Sequence, residues 1–202
     1  IGTAGYTAML CVMALTDHGL TPGADAVLVT GATGGVGSVA VSLLARAGFD
    51  VIAVTGRVDQ THYLHDLGAR DVISRQDLAA GGKALALERW SGAIDVAGGD
   101  TLASVIAQTC YDGIVASCGM AGGGELPTSV YPFILRGVTL RGVDSVMVPL
   151  ERRMRAWARL EQDLDRNLLA HLSDTRNFDD LPQLGHDLLN GKLRGRIAIK
   201  VA

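Results

Sequence analysis

At 202 residues the chain suits one large domain, or one domain with part of a second, and 48% apolar content allows a substantial core. A net charge of −3 with no basic stripe interleaved with aromatics argues against a nucleic-acid partner, and no apolar run approaches a membrane span. Cys11, Cys110 and Cys118 lack C-x-x-C spacing; they argue against a disulfide framework or zinc ribbon and fit a reducing cytoplasm.

The chain opens at Ile1 inside a helix-like stretch, with no signal peptide and no initiator Met, so a preceding segment is expected. Its 26 glycines fall in turns between apolar runs, the pattern of many tight strand-to-helix junctions. Residues 26–31 read as a short strand, and residues 36–48 as an amphipathic helix that stops at a glycine. A second strand covers 50–56, a polar-faced helix 58–67 and a third strand 71–74. Strands are expected again at 93–97, 114–118 and 138–146, with helices at 101–110 and 130–136. Strands apolar on both faces, alternating with helices, predict an α/β fold: a Rossmann-type, doubly wound parallel sheet with its ligand at the carboxyl edge where strand order reverses. After it come a charged amphipathic helix at 149–164, a helix at 178–190 and a closing strand, "GRIAIKVA", expected to belong to another layer.

The first strand leads into Gly31-Ala-Thr-Gly34-Gly35-Val-Gly37, which opens a helix, the context a dinucleotide turn requires. Gly34 and Gly35 would let the backbone approach a pyrophosphate, and the helix N-terminus would offer N–H groups and partial positive charge. A tight glycine turn without a ligand is the plainer alternative. About twenty residues on, where NAD-binding folds usually place a carboxylate for the adenosine ribose, the second strand ends in Thr55-Gly56-Arg57. A carboxylate there would oppose a 2′-phosphate by about 3 kcal/mol per unit charge pair at ~5 Å and an effective dielectric of ~20, before salt screening. Arg57 reverses that sign and can grip phosphate oxygens bidentately, which predicts NADPH over NADH; a solvated surface arginine is the competing reading. Short-chain dehydrogenase chemistry is excluded, because Tyr6, Tyr63, Tyr111 and Tyr131 are followed four residues later by Leu10, Leu67, Val115 and Leu135, never by lysine.

Beyond the glycine turn, "IGTAGYTAMLCVMAL", "LGARDVISR", "ASCGMAGG", "PFILRGVTLRGVDSVM" and "ERRMRAWARL" together run the length of the chain, and the fourth is far more specific than any glycine pattern. The chain resembles the acrylyl-CoA reductases, zinc-free NADPH-dependent enzymes of the medium-chain dehydrogenase/reductase superfamily, often labelled quinone oxidoreductases. The resemblance implies pyrophosphate contacts at Thr33, Gly34, Gly35 and Val36, and 2′-phosphate contacts at Thr55, Gly56 and Arg57. It implies Arg75 near the adenosine end, Met120 and Ile134 on the nicotinamide side, and Ser145 and Asn190 as further contacts. That family carries an N-terminal barrel-like domain ahead of this stretch, to which its C-terminal segment returns. The expected division is therefore a NADP-binding Rossmann domain at 1–174 and a C-terminal part at 175–202 belonging to an absent catalytic domain, with the isolated chain inactive.

The implied reaction is conjugate reduction: hydride to the β-carbon of an α,β-unsaturated thioester such as acrylyl-CoA, then protonation at the α-carbon. No side chain stands out as the general acid, so no catalytic residue is named; Cys118 is better read as a structural thiol. Arg136, Arg141, Arg152, Arg153 and Arg155 are candidates for the CoA phosphates, although the last three fall on a helix whose charged face can simply be solvated. His62 and His65 lie a helical turn apart without a third ligand, so no metal is expected. A reductase of quinones or enones with the same fold, and a non-catalytic NADPH-binding redox sensor, stay open. The sixth strand would be a sheet edge, and the resemblance implies that it pairs with its copy in a homodimer.

Overall fold

The computed structural model describes residues 1–23, 25–79 and 81–201. Helix α1 (Gly2–His18) ends on Gly19, whose φ of 110° lets the chain turn back: the Gly19 and Leu20 amides reach the Thr16 and Leu15 carbonyls. Then follow β1 (Val27–Val29), α2 (Gly35–Arg46), β2 (Val51–Thr55), α3 (Thr61–Asp66), β3 (Asp71–Ser74) and the single turn α4 (Arg75–Leu78). Next come β4 (Trp90–Asp95), α5 (Gly99–Ala107), β5 (Thr109–Ser117), α6 (Tyr131–Arg136), β6 (Thr139–Gly142) and α7 (Leu150–Asp163). The chain closes with α8 (Leu169–Leu172), β7 (Ser173–Asn177), α9 (Leu181–Leu189) and β8 (Arg196–Lys200).

Six strands form one parallel sheet in the order β3-β2-β1-β4-β5-β6. The order reverses between β1 and β4, so the crevice of a doubly wound sheet opens at their carboxyl ends. Period-two alternation sends side chains to two cores. Val27, Val29, Val51, Ala53, Ile94 and Ala116 face a layer that includes α1, α2 and α7, while Leu28, Ile52, Val54, Ala93 and Val115 face α5 and Trp90. Both faces being covered is why these strands read as continuous apolar runs. At about 25 cal/mol per Å², each fully buried Val, Leu or Ile contributes roughly 1.5–3 kcal/mol.

Several boundaries shift, the fourth strand's among them: it runs Trp90–Asp95 instead of 93–97. The helix expected at 101–110 stops at Ala107, and β5 starts at Thr109 instead of Ile114, because Asp112 (φ 58°) and Gly113 form an irregularity inside the strand and read as a turn in sequence. The sixth strand is shorter than 138–146, ending at Gly142. The closing strand stands apart: β8 pairs in parallel with β7, from Ser173↔Arg196 to Asn177↔Lys200, in a two-stranded sheet of its own. The expected boundary at 174/175 falls inside β7, and Ala202 lies outside the described residues.

Candidate active site: a groove at the sheet switch point

Thr30, just beyond β1, and Asp95, ending β4, tie the two central strands together at the carboxyl edge. The Thr30 hydroxyl donates to Asp95 Oδ1 at 2.7 Å and accepts from the Val96 amide at 3.0 Å. Asp95 Oδ2 accepts from the Gly98 amide at 2.8 Å. Burial pushes the Asp95 carboxyl up, against these hydrogen bonds, which pull it down. The pair shapes two glycine turns. Gly31 adopts φ 55°, and a Cβ on Gly37 would run into the Gly31 carbonyl, so α2 approaches β1 only through glycine. No side chain caps the N-terminus of α2.

Between these turns and the end of α9 lies a groove of about 530 Å³, lined by Thr30, Gly31, Thr55, Gly56, Arg75, Val96, Ala97, Ala121 and Gly122 on one side and by residues 188–191 on the other. The Arg75 guanidinium lies against Gly56, where a Cβ would collide with it. Arg57 Nη2 donates to Thr33 Oγ1 at 2.6 Å, and Nη1 donates to the Gly191 carbonyl at 3.1 Å and to the Leu193 carbonyl. Thr55 Oγ1 accepts from the Arg57 amide at 2.9 Å and lies 3.4 Å from Thr33 Oγ1. Chemically this is an anion cradle at a helix N-terminus, continued by an apolar slot.

Of the expected contacts, Thr55, Gly56, Arg75 and Asn190 line the groove, while Thr33, Gly34, Gly35, Val36 and Arg57 form or abut the adjoining turn. Met120, Ile134 and Ser145 are not among the lining residues. Met120 is 74% exposed, with its Cα close to Gly98, and Ile134 is 72% exposed on α6. Ser145 offers its carbonyl to Arg153 Nη2 at 3.2 Å. Sequence reasoning missed Arg194 and Arg196. The Arg194 guanidinium sits 4.7 Å over the Tyr63 ring and donates to Gln60 Oε1 at 3.1 Å. Arg196 passes so close to Gly35 that a Cβ there would stand 3.0 Å from its Cδ. The G-R pair ahead of "IAIK" is the available signal, and in sequence it reads only as the start of a strand.

The candidate CoA arginines separate. Arg136 is spent on the Ala86, Ala107 and Thr109 carbonyls and on Glu88, Arg155 on Asp17, and Arg153 on the Ser145 and Val146 carbonyls and the Tyr6 ring. Arg141 and Arg152 line a small cavity near Asp17 and His18, at the start of β6 and away from the groove. Cys118 is partly exposed and touches the buried Cys11 thiol; that contact and full burial hold Cys11 well above the usual thiol range. His65 Nδ1 is 2.8 Å from the Ala69 carbonyl oxygen, and no group of three His, Cys, Asp or Glu among the described residues could hold a metal ion.

Residues 35–162 match the zinc-binding dehydrogenase family. The chain is 50% identical over 202 residues to the acrylyl-CoA reductase AcuI of Ruegeria pomeroyi, spanning 61% of that protein's length. It superposes with a TM-score of 0.97 and 50% identity on the YhdH oxidoreductase of Salmonella enterica in complex with NADP, covering 100% of this chain and 62% of that one. A Bacillus subtilis YhfP structure with NAD bound gives 0.93 at 46% identity, covering 99% and 61%. The zinc in the family's name finds no ligand set among the described residues.

Proposed function

We propose, for a chain that belongs to the zinc-binding dehydrogenase family, that the groove at the switch point binds NADPH and that the whole protein reduces an α,β-unsaturated acyl-CoA such as acrylyl-CoA. The observation that carries the cofactor half is Arg57 at the end of β2, with Thr55, Gly56 and Arg75 beside it, where a carboxylate would select NAD. The residues fit the cofactor: a glycine cradle too tight for a Cβ, an uncapped helix N-terminus and converging guanidinium groups. Bound NADPH would supply the hydride for conjugate reduction. The chain's own part is to hold and orient. The amide-rich turn at Thr33–Val36 takes the pyrophosphate, Arg57 and Arg75 the adenosine end, and the Val96–Ala97 and Ala121–Gly122 strips, with Asn190, lead toward the nicotinamide. Met120, Ile134 and Ser145 would belong to the far end of the cofactor or to the substrate, since they stand outside the groove.

Two further parts of the reading have their own support. Residues 173–201 belong with a catalytic domain, because β7 and β8 form a separate sheet whose strands are largely exposed. Strand β6, the last in the main sheet, pairs with its copy in a homodimer. The AcuI likeness and the dense local match favour the thioester substrate. The experiment is NADPH oxidation by the full-length protein with acrylyl-CoA and a simple quinone in competition. A kcat/KM for acrylyl-CoA higher by orders of magnitude is expected. A preference for the quinone would overturn the thioester assignment and leave the cofactor assignment in place.

A further inference from the structure

We infer that Arg57 is a latch: the guanidinium that faces the adenosine end also holds the C-terminal segment 190–196 across the groove. The geometry divides one side chain into two edges. Nη1 serves the Gly191 and Leu193 carbonyls, and one N–H of Nη2 serves Thr33 Oγ1. A guanidinium has five N–H donors, so Nε and one N–H of Nη2 are left over by these three acceptors and can serve phosphate oxygens.

The segment held this way matters to the site. Leu188, Leu189, Asn190 and Gly191 form one wall of the groove. None of the nine residues of α9 is buried, so packing contributes little to keeping that wall in place. The described hydrogen bonds from residues 190–196 to the main fold are few: Gly195 N–H to the Thr33 carbonyl at 2.9 Å, Arg194 to Gln60, and the two carbonyls on Arg57, with the Arg194 guanidinium also over the Tyr63 ring. Thr33 is gripped twice, at its hydroxyl by Arg57 and at its carbonyl by Gly195, so the turn at the α2 N-terminus and the wall move as one piece. Gly195 adopts φ 57°, and a Cβ there would meet the Leu172 carbonyl, which keeps the segment pressed onto the fold only while it is glycine. Arg57 is thus a positioning residue for the wall as well as a determinant of nucleotide choice.

The nucleotide arm of the test rests on the proposed cofactor; the hydrogen-exchange arm does not. In the full-length protein without nucleotide, amide exchange is followed at residues 188–195 and in β1 and β4, and dissociation constants are measured for NADPH and for NADH, which lacks the 2′-phosphate. R57A removes two of these four hydrogen bonds, so exchange in 188–195 should rise about tenfold with the central strands unchanged, and NADH should bind about tenfold more weakly. R57K keeps the positive charge but cannot span three acceptors. It should show the same rise in exchange while keeping part of the preference for NADPH. Unchanged exchange and unchanged NADH affinity in R57A, with loss confined to NADPH, would overturn the latch and leave the phosphate contact. Raised exchange and weakened NADH with an unaltered NADPH/NADH ratio would establish the latch and overturn the 2′-phosphate reading. If R57A also loses protection in β1 and β4, R57K decides by the same two readouts.

Discussion

A carboxyl group with no exposure to water lies under the groove wall. Asp95 is raised by burial, and the Thr30 hydroxyl and the Gly98 and Ala97 amides only partly offset that. The sign follows from linkage. A folded-state pKa above the unfolded value means the native state holds its proton longer. The favourable contribution is therefore full below the ordinary aspartate range of about 4 and is lost as pH rises through the raised folded value. Denaturant titrations of the wild type should show stability declining across that acidic window relative to Asp95→Asn, which has no proton to lose. Asparagine also forfeits one acceptor, and either Thr30 or Gly98 goes without, at a cost of about 1–2 kcal/mol at the acid end. Parallel curves for the two proteins would show that Asp95 ionises without penalty.

Among the elements, β5 and α6 show what an arginine can do without a ligand. Arg136, at the end of α6, has a side chain only 15% exposed and bonds three main-chain carbonyls: Ala86, Ala107 and Thr109. Arg136→Met leaves those carbonyls short of a donor and should cost about 2–3 kcal/mol of unfolding free energy, with KM for the proposed acyl-CoA substrate unchanged. A raised KM at unaltered stability would return Arg136 to the substrate. The element pattern is legible because strands covered on both faces are written as unbroken apolar runs; β3 spans the 71–74 that the sequence predicts. What stayed hidden has local causes. Asp112-Gly113 has turn chemistry inside a strand, and β7, "SDTRN", is exposed throughout, so it carries no alternation to read. In the site, Arg57 and Arg75 follow strand ends and could be found by counting from the glycine turn. Arg196 reaches that turn, and Arg194 the Gln60 and Tyr63 side chains, only through tertiary folding, which no local window records.

At the scale of the whole molecule, the sheet has two outer strands, β3 and β6. Beside β6 stand exposed apolar side chains on neighbouring segments, Tyr131, Leu135, Val146 and Met147 among them. Sedimentation of the full-length protein should give a two-fold mass, and a strictly monomeric species across the concentration range would remove β6 as an interface. The wall over the groove carries a different consequence, one of timing. Arg57 and the carbonyl it holds at Gly191 are 134 positions apart, and every strand of the main sheet is translated before the latter. A chain leaving the ribosome can therefore assemble its sheet and glycine turn while one side of the groove is still unmade. Closing the groove is thus a late step of folding during synthesis, and a chain terminated before Leu188 would build the sheet and the glycine turn without that wall.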